Sequence, residues 1–244
     1  MKVTLIDYTG AHHPDVWHAA HLLIFTKNTR IKMSPDGLKE IESWEYAKKF
    51  AELEYMANTI RSSWEFLDYT FVLQDVTRSF THQLVRTRTA SFAQQTMQIL
   101  DVSGFTVERP KKLPSMAEEA WEDAIHTTRT AYDTMLIAGA TVEEARGLLP
   151  HAIHTNIVLK ADLRTLVDLF HSRISPRNLG EFREVCVLMR EAVLHVHPWS
   201  RVFLEQTVDV VTSKLDEELK DLREREPEKA TRMLKLVDQI RRGS

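Results

Sequence analysis

The chain has 244 residues, of which 43% are apolar and 27% are charged, and its formal net charge at pH 7 is −3. This balance predicts a globular protein with a buried core and argues against a general nucleic-acid or membrane-surface binder. Cys186 is the only cysteine, which excludes an internal disulfide and favours a reducing, cytoplasmic setting. No stretch approaches the roughly 18 consecutive apolar residues of a membrane span, so no membrane partner is expected.

The residue pattern predicts a helix-rich chain with a few strands between the helices. Alternating apolar residues indicate strands, and apolar residues that recur every three or four positions indicate helices. In chain order, the predicted elements are a strand at Met1–Tyr8, a helix at Pro14–Lys27, a long helix at Leu38–Asn58, a strand at Glu65–Leu73, a short helix at Thr77–Arg86, an extended segment at Ala90–Gln98, a short strand at Phe105–Glu108, helices at Ser115–Ala138 and Thr141–Leu149, a strand at Thr155–Ala161, and helices at Asp162–Phe170, Pro176–His195 and from Pro198 onward.

The long helix at Leu38–Asn58 has a predicted buried face. Four apolar residues fall on one side of it at helical spacing, with acidic residues and Lys49 on the other. These four residues are Tyr46, Phe50, Leu53 and Ala57. In the second predicted strand, alternation instead places Leu67, Tyr69, Phe71 and Leu73 on one face.

Two later helices carry possible start signals. Ser115 is followed three residues later by Glu118, and Thr141 is followed by Glu144 at the same distance, which is the pattern of a capping box. Because the strands are separated by helices, the predicted fold class is α+β, a helix-rich single domain around a small mixed or antiparallel sheet. We expect this domain to occupy residues 1–207, with residues 208–244 as a charged helical extension.

Metal and nucleophile chemistry are poorly supported by the pattern. The histidine pairs at 12–13, 151–154 and 195–197 lack an acidic partner at ligand spacing, so no metal is assigned. Cys186 lies on the apolar side of a predicted helix, which favours a buried, inert thiol over a reactive one.

Two arginine-rich segments are the better candidates for a binding site. The first is HQLVRTRTASFAQQT at residues 82–96, and the second is residues 143–173. Gln83 and Arg86 are three apart on a predicted helix and would face the same ligand. The guanidinium fork of arginine matches phosphates and the edges of planar heterocycles. The alternative from composition alone is a solvated helix surface on which arginines pair with acids.

These segments resemble the signatures of the flavin-dependent thymidylate synthases. His82 to Arg88 reads HQLVRTR and is followed after seven residues by Thr96, which is similar to the family's Arg-His-Arg, seven residues, Ser. Three further blocks are similar to family elements. They are Ser62-x-x-Glu65, Ala145-Arg146-x-x-Leu149-Pro150, and Asp162-x-Arg164-x-Leu166-x-Asp168-x-Phe170-x-x-Arg173.

The resemblance implies an enzyme that methylates carbon 5 of a pyrimidine nucleoside monophosphate. It implies FAD as cofactor, methylenetetrahydrofolate as one-carbon donor and NADPH as reductant, in a homotetramer with active sites at subunit interfaces. The implied FAD contacts are Ser62, Arg86, Thr87, Arg88, Thr89, Gln94, Asp162 and Asp168. The implied nucleotide contacts are Gln83, Arg86, Gln94, Gln95, Thr96, Met97, Gln98, Arg146 and Arg173. Arg173 matches the arginine that polarises the pyrimidine ring and is the implied catalytic residue.

Several positions depart from the family pattern, and most belong to the implied site. Ile60 and Thr87 stand where the family has histidines, and Thr96 stands where it has a serine. Ala93-Gln94 replaces an asparagine-glutamate pair, and Gln98 replaces an arginine. Asp162 and Asp168 replace two asparagines. The loss of an arginine and the gain of two carboxylates predict a less positive pocket.

These departures leave the substrate open between dUMP and UMP, the latter methylated in nucleoside-antibiotic pathways. A variant that acts on dCMP, or that leaves a hydroxymethyl product, ranks lower. Two further alternatives are a relative that binds flavin or nucleotide without turnover, and a helical interaction protein whose charged C-terminal segment contacts a partner.

Overall fold

Four strands of the described residues form one antiparallel sheet. A computed structural model describes residues 1–31, 34–174, 180–205, 219, 222–223 and 225–243. The strand order is β1-β2-β4-β3, and neighbouring strands run antiparallel. The strands are β1 (Lys2–Tyr8), β2 (Asp68–Thr77), β3 (Ser91–Gln94) and β4 (His154–Asp162). The predicted strand at Phe105–Glu108 is wrong in extent, because only one bridge forms there, between Val107 and Ile153.

Helices make up most of the remaining described structure, which confirms the predicted α+β class. They are α1 (His18–Asn28), α2 (Asp36–Glu42), α3 (Tyr46–Thr59), α4 (Arg78–Leu84), α5 (Ser115–Ile137), α6 (Val142–Ala145), α7 (Leu163–Arg173), α8 (Glu181–Val196), α9 (Arg201–Leu204) and α10 (Pro227–Gly243). The predicted helix start at Pro176 and residues 208–218 of the predicted extension lie outside the described residues. None of the helices in the described ranges is long and apolar enough to cross a membrane.

The core forms where one face of β2 meets the surrounding helices. Leu67, Tyr69, Phe71 and Leu73 are all fully buried, as the alternation predicted. They belong to a single apolar cluster with residues of α1, α3, α7 and α8. Burial of each side chain of this size stabilises the fold by about 1.5–3 kcal/mol. The sheet and the helices around it are therefore held by one continuous core.

The predicted long helix at Leu38–Asn58 is wrong, because α2 and α3 are separate. Glu45 has an extended backbone with φ −57° and ψ 143°, which interrupts the helical hydrogen bonds. Within α3 the buried residues are Lys49, Leu53 and Met56. Of the four residues on the predicted face, only Leu53 is fully buried. Tyr46 and Phe50, predicted to be buried, are 61% and 41% exposed.

The two predicted capping boxes have different outcomes. Thr141 and Glu144 form the predicted box, in which the Thr141 backbone N–H donates to the Glu144 carboxylate at 2.8 Å. Hydrogen bonds from the Thr141 backbone and hydroxyl lower the pKa of Glu144. The box at Ser115 is wrong, because Pro114 occupies the cap position of α5 and makes no side-chain hydrogen bond there.

His197 is a buried histidine at the junction between α8 and α9. Its Nδ1 atom and the Tyr69 hydroxyl form a hydrogen bond of 3.0 Å, and its side chain is enclosed by the rings of Tyr8 and Trp199. Burial lowers the pKa of His197 to about 4 and raises the pKa of Tyr69. The imidazole is therefore uncharged in the folded chain at neutral pH.

We expect the free energy of unfolding to fall as the pH drops from about 6.5 to about 4. In this window the unfolded chain binds a proton at His197 and the folded chain does not, which costs about 1.4 kcal/mol per pH unit. Urea unfolding at pH 7.5, 6.0 and 5.0 measures the slope. The variant His197→Gln is expected to be less stable at pH 7.5 but to have a flatter pH dependence. An equal slope in both proteins would contradict the assignment.

Candidate functional site

The first arginine-rich segment emerges from a short helix that is fixed at its start. Thr77 caps α4, because its hydroxyl accepts a hydrogen bond from the Phe80 N–H at 3.0 Å. Glu181, at the start of α8, accepts hydrogen bonds from the Thr77 N–H and hydroxyl at 2.7 and 2.5 Å. The apolar face of α4 is buried through Phe80 and Leu84, so Gln83 is left on its exposed side.

The second segment passes from β4 into α7. Asp162 ends the strand and caps the helix, since its carboxylate accepts a hydrogen bond from the Thr165 N–H at 2.7 Å. The carboxylate at position 162 therefore has a structural role in this chain. Asp168 and Arg173 lie further along α7, on the side that is not fully buried.

The two segments meet at a cavity that we call the arginine hollow. It has a volume of about 240 Å³. Its lining residues are Gln83, Arg86, Thr87, Thr89, Thr165, Asp168, Leu169, Ser172 and Arg173. Six of these, Gln83, Arg86, Thr87, Thr89, Asp168 and Arg173, were predicted from sequence as site residues. The fold thus brings together residues that lie far apart in the chain.

The charge of the arginine hollow depends on a residue that the sequence prediction missed. Asp168 forms an ion pair with Arg61, which precedes the predicted site residue Ser62. Arg61 stands next to a recognised family element, so its position in the sequence was an available signal. Because Arg61 partners the carboxylate of Asp168, the charges of Arg86 and Arg173 are not cancelled by it.

Arg173 lies against an aromatic ring at the beginning of α8. Its guanidinium carbon is 4.5 Å from the centroid of the Phe182 ring. Burial raises the pKa of the nearby Cys186 thiol to about 12, and the positive charge of Arg173 opposes that rise. The predicted burial of Cys186 is confirmed, and its thiol stays protonated at neutral pH.

Other predicted nucleotide contacts lie around a second cavity, which we call the β3-exit hollow. It has a volume of about 220 Å³ and follows the end of β3. Its lining residues are Gln95, Thr96, Met97, Leu100, Val102, Ser103, Phe105, Thr106, Ile153, His154 and Thr155. None of the residues that line the arginine hollow is among them.

Gln98 and Arg146 share an acidic partner. The Gln98 side-chain amide donates to a Glu143 carboxylate oxygen at 3.0 Å, and an Arg146 guanidinium nitrogen lies 3.5 Å from the same oxygen. The resemblance to the family signature predicted both Gln98 and Arg146 as nucleotide contacts but did not include Glu143. The carboxylate of Glu143 holds together two side chains from segments that are distant in the sequence.

Four predicted flavin contacts lie outside the lining of both hollows. Ser62 accepts a hydrogen bond from Arg30 at 3.1 Å, and Gln94 donates to the Thr81 hydroxyl at 2.9 Å. Asp162 is the cap of α7, and Arg88 is exposed. The structure of the single chain therefore assembles part of the predicted flavin site.

Several described histidines contact polar side chains or aromatic rings. His154 lies 3.0 Å from the Thr106 hydroxyl and 3.3 Å from the Glu108 carboxylate. The rings of His82 and His151 meet edge to face at 5.2 Å. Within the described residues, no group of three or more histidine, cysteine and acidic side chains is arranged to hold a metal ion.

Comparison with known proteins identifies similar sequences. The family described as "Thymidylate synthase complementing protein" matches residues 4–199. The protein named flavin-dependent thymidylate synthase from Saccharolobus solfataricus is 30% identical over 171 residues, which cover 64% of this chain and 64% of the relative. The protein of the same name from Sulfurisphaera tokodaii is 30% identical over 167 residues, which cover 64% of this chain and 65% of the relative. The protein of the same name from Clostridium tetani is 28% identical over 219 residues, covering 81% and 84%. The chain spans just under two thirds of the length of the first two relatives.

Proposed function

The chain belongs to the thymidylate synthase complementing protein family, and from this membership we propose that it is a flavin-dependent enzyme that methylates carbon 5 of a pyrimidine nucleoside 5′-monophosphate. The observation that carries the proposal is the arginine hollow, where Gln83, Arg86 and Arg173 line one cavity. Guanidinium and amide groups match the phosphates and ring edges of such ligands. The family match lies within residues 1–207, the proposed catalytic domain, and residues 208–244 form the proposed extension.

We propose FAD as the bound cofactor, with side chains of the arginine hollow as its contacts. Arg86 and the hydroxyls of Thr87 and Thr89 are donors of the kind that a diphosphate requires. Asp168, the one acidic residue in this described lining, is paired with Arg61 and so repels a phosphate less. The donor set therefore fits the cofactor. Bound flavin would supply the redox chemistry, with NADPH as reductant and methylenetetrahydrofolate as one-carbon donor.

The proposed partner of the nucleotide 5′-phosphate is Arg146. Its guanidinium lies beside Glu143, which also accepts a hydrogen bond from Gln98. Arg146 is 40% exposed, so an entering phosphate can compete for it. A charge-assisted contact of this kind contributes about 1.5–3 kcal/mol. The adjacent β3-exit hollow, with Thr96 in its lining, would receive other parts of the nucleotide.

Arg173 is the residue that we propose acts on the pyrimidine ring. A guanidinium held against O2 and N3 stabilises negative charge in the ring and favours its N3-deprotonated form. Arginine stays protonated throughout the neutral range, so it acts as a fixed positive donor and not as a base. A cytosine ring has an unprotonated N3, which offers no proton to lose against this donor. We therefore propose dUMP or UMP as substrate and rank dCMP below them.

The site is proposed to be complete only between copies of the chain. Gln83 and Arg173 line the arginine hollow, whereas Thr96 lines the β3-exit hollow and Arg146 lies with Gln98. One nucleotide that contacts both groups can do so if the second group comes from a neighbouring subunit. This arrangement supports the proposed homotetramer with active sites at subunit interfaces.

We expect the purified protein to bind FAD and to be stabilised by its nucleotide. Bound flavin gives visible blue-region absorbance, and a nucleotide at 100 times its Kd adds about 2.7 kcal/mol to the free energy of unfolding. For a chain of this length that gain corresponds to a rise in Tm of about 5–10 °C. Thermal unfolding with dUMP, UMP, dCMP and CMP identifies the substrate. A protein that takes up no FAD, or one that no nucleotide stabilises, would rule out the proposed function.

A further inference from the structure

Phe182, the second residue of α8, contacts the arginine that is proposed to act on the pyrimidine ring. The Arg173 guanidinium carbon lies 4.5 Å from the Phe182 ring centroid, within the range of a cation–π interaction. Arg173 also lines the arginine hollow, and Phe182 does not. Arg173 thus contacts the hollow and the ring at once.

The Phe182 ring packs against α4. It packs edge to face against Phe80, with the ring centroids 4.9 Å apart and an interplanar angle of 85°. Phe80 is 3% exposed and belongs to the main apolar core. The aromatic support of Arg173 is therefore connected to the rigid part of the fold.

The residues on either side of Phe182 fix the backbone at this point. Glu181 accepts two hydrogen bonds from Thr77, the cap of α4. Arg183 donates from its Nε atom to the backbone carbonyl of Ile174, the residue after Arg173. The start of α8 is thus joined to α4 and to the end of α7. Residues of α7, of α4 and of the segment that follows α4 line the arginine hollow.

Within the part of the chain that the structure describes, Arg173 has no acidic partner that would orient it in place of the ring. Among the described residues, no carboxylate lies within ion-pair distance of its guanidinium, and Asp168 on the same helix is paired with Arg61. Arginine has several rotatable bonds, so its donors point in one direction only if a neighbour restricts them. An aromatic face provides such a restriction and leaves the N–H groups at the edge of the guanidinium free.

We infer that Phe182 is a positioning residue for Arg173, and that its ring holds the guanidinium in the orientation needed to polarise a pyrimidine. This inference rests on the proposed function of the arginine hollow. Because Phe182 does not line that hollow, its contribution acts through Arg173. Loss of the ring should therefore reduce turnover more than nucleotide binding, since donors that are misoriented by about 1 Å lose rate steeply.

The test compares Phe182→Leu and Phe182→Tyr in the flavin-loaded full chain. Leucine keeps an apolar side chain but removes the aromatic face, and tyrosine keeps that face. We expect Phe182→Leu to lower kcat about ten- to a hundredfold with KM for the nucleotide changed less than about threefold, and Phe182→Tyr to restore most of kcat. The matched control is Phe25→Leu on α1, a partly buried phenylalanine that is not in the lining of either hollow. Wild-type kcat in Phe182→Leu, or an equal loss in Phe182→Tyr, would overturn the inference.

A second measurement does not depend on turnover. In ¹⁵N–¹H spectra of arginine side chains, the Nε–Hε signal of Arg173 is assigned by its absence in Arg173→Lys. A ring this close shifts that signal, so Phe182→Leu is expected to move it and Phe25→Leu is not. An unmoved signal in Phe182→Leu overturns the positioning role. If the wild-type protein has no activity on any of the four nucleotides while the signal moves as expected, the proposed function fails and the contact between Phe182 and Arg173 stands.

Discussion

Replacing Arg173 with lysine is expected to lower kcat by about a hundredfold or more, because removal of one oriented donor from a polarising site costs about 10²–10³ in rate. Lysine keeps the positive charge but has no planar fork, so it cannot contact two atoms of the ring edge at once. The loss should fall on turnover. In the proposed site, nucleotide affinity depends also on Arg146 and on the β3-exit hollow, so we expect Kd to change by less than about threefold.

The measurement pairs steady-state kinetics with a nucleotide titration of the same Arg173→Lys preparation. Arg201→Lys is the matched control, because Arg201 forms an ion pair with Glu205 one helical turn away and lies outside the lining of both hollows. It should retain wild-type kcat and Kd. If Kd of Arg173→Lys rises by the same factor as kcat falls, Arg173 is a binding residue and the role proposed for it is wrong.

Much of the fold could be predicted from local patterns because those patterns reflect burial directly. Alternation along the predicted strand at Glu65–Leu73 identified four residues that are fully buried, and the Thr141–Glu144 spacing identified a real capping box. The helix at Leu38–Asn58 could not be predicted correctly in this way. Its apolar spacing continues through Glu45, where the backbone is extended and the helix is broken. The two shorter helices that result both pack against α1, a contact that local spacing does not encode.

The candidate site was predictable only as far as its residues resemble a family signature. Gln83, Arg86 and Arg173 could be named from sequence, and they do line one cavity. Phe182 could not be named, because its contact with Arg173 joins two separate helices. Arg61 stands next to a family element, but its ion pair with Asp168 is visible only in the structure. The charge of Asp168 is an example of what the sequence alone gets wrong. The sequence predicts an added negative charge in the pocket, whereas the structure pairs that carboxylate with Arg61.

The predicted nucleotide contacts are divided between two hollows, and this division predicts a large effect on the activity of mixed oligomers. We expect Arg173→Ala and Arg146→Ala each to lose nearly all activity alone, and a co-expressed mixture of the two to regain about a quarter of wild-type turnover. In a mixed oligomer, a site is intact when its arginine hollow comes from the Arg146→Ala chain and its β3-exit side comes from the Arg173→Ala chain. With equal amounts and random assembly, that combination occurs at about one site in four.

The control mixture is Arg173→Ala with Arg86→Ala, because both residues line the arginine hollow of the same chain. No combination of these two variants supplies an intact hollow, so their mixture should stay inactive. Native mass spectrometry of differently tagged chains establishes that mixed oligomers form in both experiments. If Arg173→Ala and Arg146→Ala form mixed oligomers without any return of activity, the nucleotide contacts of one site come from a single chain. The two hollows would then have to come together by movement within that chain. Recovery near a quarter would instead assign the two groups of contacts to neighbouring subunits. It would also explain why Arg146 and Gln98 contact Glu143 and do not line the arginine hollow of their own chain.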